Sequence, residues 1–151
     1  MKNLIIVILS LVGTVACGRA PEKDLGEFAP YVASFEQKSQ EVGAPVQVTD
    51  LKMRFGDLQA AQEDGVCEIK DGETPTITID QTAWSTMNET TREAVVFHEL
   101  GHCVLKRVHD KTLDKVGMPV SLMYPTQMDS SIYSLNQAQY THELFQKRGQ
   151  F

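Results

Sequence analysis

The sequence predicts an α+β domain: a twisted mixed sheet of three to five strands, packed on one long helix and closed by a C-terminal helix. Three observations lead there. Between residues 46 and 80, short runs alternate apolar and polar side chains with the period of strands. Residues 88–107, NETTREAVVFHELGHCVLKR, carry apolar residues at helical spacing instead. Residues 134–149, SLNQAQYTHELFQKRG, read as a second helix between a Ser-x-x-Gln start and a terminating glycine.

The chain has 151 residues, one domain's worth, and its beginning is not domain. Lys2 precedes an apolar run from Leu4 to Ala16, shorter than the roughly 20 residues a membrane-spanning helix needs, so residues 1–16 read as a signal peptide. The end of that run, TVAC, resembles the lipobox of bacterial lipoproteins, with Thr14 where a leucine is usual. The resemblance implies that Cys17 becomes the lipidated first residue of the mature chain. Residues 17–29 then form a tether and 30–151 the domain. The expected location is the cell envelope, lipid-anchored at an outer membrane or cell surface.

Loss of Lys2 with the leader leaves 13 basic against 20 acidic residues, and 13 − 20 = −7. No basic run is present, which argues against nucleic acid as a partner and against a second, electrostatic membrane anchor. The expected state is a monomer. With Cys17 committed to lipid, Cys67 and Cys103 remain, and an oxidising compartment favours a disulfide between them. Closing a loop of about 35 residues is worth about 3–4 kcal/mol, a large contribution to a domain with a small core.

In chain order, Pro30 and Gly43 bracket a helix whose Val32, Phe35 and Val42 share a face. Val46 and Val48 then alternate in one phase and Leu51, Met53 and Phe55 in the other, so a break is expected near Thr49–Asp50. Residues 56–65 read as loop or short helix. VCEIK and TPTITID flank the turn DGET as a hairpin, and the half-polar TPTITID reads as an edge strand. Thr90 and Glu93 form a capping box for the long helix, and residues 108–120 lack periodicity and read as loop. Ser134 is the expected cap of the closing helix.

The long helix carries the chemistry. His98-Glu99-x-x-His102 places two imidazoles at i and i+4 on one face, where both nitrogens reach one Zn²⁺. Glu99, turned about 100° round the helix, reaches a metal-bound water without ligating, as a general base must. His109 follows closely enough to supply a third ligand. Asp110 beside it and Glu143 in the closing helix are the alternative third ligands, and Cys103 lies away from the histidine face.

These residues resemble a zincin metallopeptidase, and within that clan a metzincin, whose pattern is H-E-x-x-H-x-x-G-x-x-H followed by a methionine-bearing turn. SLMYP, residues 121–125, is similar to that Met-turn in its matrixin form, with Met123 as its methionine. The chain departs from the pattern in two places. Val108 stands where the family has its third ligand, and His109 follows one residue later. Leu105 and Lys106 stand where the family has its turn glycine, and the extra residue is expected to supply the slack.

The resemblance implies a small zincin-like fold, one catalytic zinc on His98, His102 and His109, and a zinc-dependent endopeptidase in which Glu99 activates water. Tyr124, Tyr133 and Tyr140 are candidates for a helping tyrosine, and TPTITID is the strand expected to pair with an extended substrate. The alternative is a zincin-fold lipoprotein in which zinc only stabilises a binding or scaffolding surface.

Overall fold

A computed structural model describes residues 23–147. The predicted leader, Cys17 and Gly149 lie outside them.

Alternation builds the sheet. In β2 (Leu51–Gly56), Leu51 and Met53 point into the core. β2 pairs in parallel with β1 (Lys23–Asp24) on one side and with β4 (Thr76–Asp80) on the other. β3 (Gly65–Glu68) completes the hairpin, antiparallel to β4, with Gly65 opposite Ile79 and Cys67 opposite Ile77. The order β1-β2-β4-β3 makes this the mixed sheet the sequence predicts.

It also moves the edge. TPTITID is not an edge strand: β4 is hydrogen-bonded on both sides, and the strand beside it at the sheet's limit is β3. The polar half of β4 misleads because its polar atoms are satisfied inside the protein. Thr78 accepts from Arg54 Nε at 3.1 Å, and Asp80 accepts from the backbone N–H groups of Leu58 and Ala83, each at 2.7 Å.

Asp80 thereby caps α2 (Gln81–Thr86), a short helix with no periodicity to announce it. α1 (Ala29–Glu41) starts with Pro30 in its first turn and ends at Gly43, whose φ of +71° suits glycine. Val46 and Val48 do not join the sheet. Their N–H groups donate to Ser39 Oγ and Glu36 Oε1 of α1, which is why the alternation changes phase before Leu51.

α3 (Glu89–Cys103) begins one residue before the predicted capping box, so Thr90 does not cap it. Asn88 does, accepting from Thr91 N–H at 2.9 Å, while Glu93 takes the hydroxyl of Tyr133. α4 (Ser130–Gln146) likewise starts four residues before Ser134, capped by Asp129. The three long helices meet at Phe35, whose ring lies 5.2 Å from Phe97 and 4.7 Å from Phe145. Trp84 packs into the core beside Phe28, with Arg92 over its face at 4.9 Å. The predicted disulfide is present, Cys67–Cys103, and joins β3 to the last residue of α3.

Candidate metal centre

Helical geometry gives α3 two working stripes. His98 and His102 lie one turn apart on the first, and Glu99 and Cys103 one turn apart on the second. The first faces His109, the second faces β3.

The histidine rings are held from behind. His98 Nδ1 lies 2.8 Å from the carbonyl of Leu122, and His102 Nδ1 lies 2.7 Å from the carbonyl of Arg107. A carbonyl only accepts, so the hydrogen-bond network assigns each Nδ1 the proton and leaves each Nε2 a bare lone pair. Those lone pairs converge. His98 Nε2 is 3.1 Å from His102 Nε2 and 3.3 Å from His109 Nε2, and one ligating atom from each of the three lies within 4.8 Å of the others. No proton is available for the His98–His102 contact, so a cation is what reconciles the two nitrogens. Zinc bound at 2.0–2.1 Å in a tetrahedron holds its nitrogens about 3.3–3.4 Å apart, close to the His98–His102 and His98–His109 separations. Burial also depresses the pKa of His98, to about 4, and that of His102, which keeps both in the neutral form a metal requires.

His109 arrives by an unwound helix end. The N–H of Leu105 reaches back to Leu100 at 3.2 Å and that of Arg107 to Gly101 at 2.9 Å, both wider than a helical turn, and these wide bonds take up the extra residue. Lys106 adopts φ +58°, the left-handed conformation that a glycine would supply. Lys106→Gly should therefore raise stability, by about 0.5–1 kcal/mol once the added freedom of the unfolded chain is subtracted. Urea titration of the zinc-free chain measures this.

Beyond His109, Asp110 N–H donates to Met123 O at 2.9 Å, tying the loop to the turn at 121–124. Met123 is fully buried against α3. A Cβ on Gly101 would stand 2.4 Å from its sulfur, so the glycine between the two histidines leaves the space the thioether fills. Ser121 Oγ accepts from Met123 N–H at 3.0 Å and closes the turn.

Glu99 is 5% exposed. Burial pushes its pKa up to about 8, the Glu63 and Asp64 carboxylates push the same way, and a hydrogen bond from the Cys67 backbone N–H opposes them. Glu99 is thus a buried carboxyl on the helix stripe next to the convergent imidazoles.

The other candidate ligands are engaged elsewhere. Asp110 caps its own loop at Thr112 N–H, 3.0 Å, and pairs with Lys147. Glu143, the other alternative ligand, has its carboxylate committed elsewhere. It forms a two-pronged ion pair with Arg107 (2.7 and 3.1 Å) and accepts from Ser121 Oγ at 2.8 Å. Cys103 is in the disulfide.

The family model described as "Putative phage metallopeptidase" matches residues 28–128. The chain belongs to this family. The match spans all four elements of the site: α3, β3, the His109 loop and the turn at 121–124, while α4 lies outside it. No curated protein and no solved structure matches.

In this phage metallopeptidase family member, two of the three candidate tyrosines are committed to structure. Tyr133 donates to Glu93 at 2.8 Å and Tyr140 to the carbonyl of Pro119 at 2.8 Å, which leaves the half-buried Tyr124. A cavity of about 270 Å³ opens beside His98 and Glu99, with Val95, Leu122 and Met128 among its walls. Sequence reasoning missed Arg107, whose carbonyl orients His102 and whose guanidinium anchors α4. Its one signal was adjacency to the histidines. It also missed the Leu122 carbonyl and the Cys67 N–H, backbone groups that no sequence pattern reports.

Proposed function

We propose that the protein is a zinc-dependent endopeptidase of metzincin type, with His98, His102 and His109 as zinc ligands and Glu99 as general base. The convergence of Nε2 atoms on α3 and its following loop carries this reading, with the buried Glu99 on the adjacent stripe. Zinc, when bound, acidifies a water and polarises the scissile carbonyl. Leu122 and Arg107 hold the ligating imidazoles in one tautomer through their carbonyls. Glu99, pinned by Cys67 through one side of its carboxylate, takes the proton of the attacking water on the other and returns it to the leaving amine. Met123 plays the part of the Met-turn methionine, supporting the histidine stripe from beneath Gly101. The cavity beside Glu99 receives a substrate side chain, and β3, the strand at the sheet's edge, replaces β4 as the strand that pairs with an extended peptide.

The leader at 1–16 and Cys17 support an exported, lipid-anchored enzyme, and the disulfide suits an oxidising compartment. The test is to load the purified chain with zinc, count metal per chain and assay an unfolded protein for cleavage. One zinc and progressive cleavage at internal peptide bonds are expected. One zinc with no cleavage across a broad peptide library would contradict the proposal and point to a zinc-stabilised binding protein.

A further inference from the structure

The second stripe of α3 has a device of its own. Glu99 and Cys103 stand one turn apart on it, and both meet β3, the strand at the sheet's limit that pairs with β4 alone among the described residues. β3 touches this stripe at two points. Gly65 closes on Glu99 so tightly that a Cβ would lie 2.8 Å from Glu99 Cγ. Two residues on, Cys67 donates its backbone N–H to the Glu99 carboxylate while its sulfur is bonded to Cys103. One residue thus grips the base with its backbone and the base's own helix with its side chain.

We propose that Cys67 is the positioning residue for Glu99, and that the Cys67–Cys103 disulfide makes the peptidase fast when oxidised and slow when reduced. The inference rests on the reading of Glu99 as general base. A carboxylate on a flexible stem has two oxygens and several rotamers, and proton transfer needs one oxygen within about 2.6–3.2 Å of the water. With the disulfide closed, the Cys67 N–H holds one oxygen and leaves the other for the water. With it open, β3 keeps its four-residue ladder to β4 and the Gly65 contact but loses its covalent tie to α3, and short edge strands open locally at low cost. A displacement near 1 Å at a reacting group costs on the order of 10²-fold in rate. The zinc ligands are independent of this clamp, because they lie on the other stripe and are held by Leu122 and Arg107.

The experiment is reduction of the zinc-loaded chain by a phosphine, which leaves zinc in place as dithiols do not. The phosphine gives two electrons to the sulfur–sulfur bond, each sulfur takes a proton from water, and the phosphine departs as its oxide carrying the water oxygen. Zinc per chain, far-UV circular dichroism, kcat and KM are followed well below the melting temperature, before reduction, after it and after re-oxidation. We expect zinc and fold retained, kcat at saturating substrate lower by about 10–100-fold, any rise in KM reporting only the pairing of β3 with the peptide, and recovery on re-oxidation. A purely structural staple would lower the melting temperature and leave kcat per bound zinc unchanged; that result overturns the proposal, as does a loss of rate that merely follows loss of zinc. Gly65→Ala gives a second reading with the disulfide intact. Its methyl group pushes Glu99 from its place, so kcat should fall at constant zinc, and an unchanged kcat overturns the proposal even if the reduced chain unfolds. An oxidised wild-type chain that holds zinc and cleaves nothing sinks the peptidase reading and this inference together; an oxidised chain that cleaves, with unchanged kcat on reduction, sinks the inference alone.

Discussion

Glu99→Gln should lower kcat by about 10²–10⁴-fold while the chain still binds one zinc. The amide fills the same buried space against Gly65 and still accepts from the Cys67 N–H, so neither packing nor helix is disturbed. What is lost is the ability to take a proton. Metal stoichiometry separates this outcome from a damaged site, because Glu99 lies about 100° round the helix from His98 and outside the convergent nitrogens. Steady-state kinetics and metal analysis on one preparation measure both. Unchanged cleavage would remove Glu99 from the mechanism.

Glu143→Ala should cost about 3–5 kcal/mol, because it strips a buried guanidinium of its counter-ion. Arg107 is 6% exposed, and its remaining partners among the described residues are the Ser121 hydroxyl at 3.3 Å and the carbonyl of Leu144 at 3.4 Å, with the Glu143 carbonyl also at 3.4 Å. All are neutral and long. The effect should spread to the metal, since the carbonyl of the same Arg107 orients His102; a loss of about 10–100-fold in zinc affinity is expected. At saturating zinc the stoichiometry should remain one per chain, whereas a Glu143 that ligated the metal would abolish it. Urea midpoints with and without zinc, beside a zinc titration, check both parts. A stability loss under about 1 kcal/mol would mean the pair is effectively solvated.

The two predictions draw on features of unequal legibility. His98, Glu99 and His102 were readable because a helix turns i and i+4 into neighbours, so their geometry is local and spacing alone supplies it. The cysteine pair was readable by arithmetic, there being two thiols once Cys17 is set aside. His109 was readable only as a candidate. Whether it reaches the metal depends on the widened bonds at Leu105 and Arg107 and on Lys106 at positive φ, which a lysine seldom adopts. Arg107 and Glu143 were opaque for a different reason. They are separated by 36 residues, and nothing in either local pattern shows that α4 carries its glutamate inward. The edge assignment failed because strand patterns show which residues are polar, not what satisfies them: Arg54 of the neighbouring β2 at Thr78, and a loop and a helix start at Asp80. The helix caps failed by a few residues at Asn88 and Asp129, where several capping residue types stand close together in the sequence.

The claim on which everything else stands is that three histidines, and no acidic or sulfur ligand, hold one zinc. X-ray absorption at the zinc edge of the loaded chain counts coordinated imidazoles directly. Wild type should show three, with one further oxygen at about 2.0–2.2 Å, and His109→Ala should show two. A sulfur scatterer at about 2.3 Å, or the same two imidazoles in wild type and His109→Ala, would contradict the account.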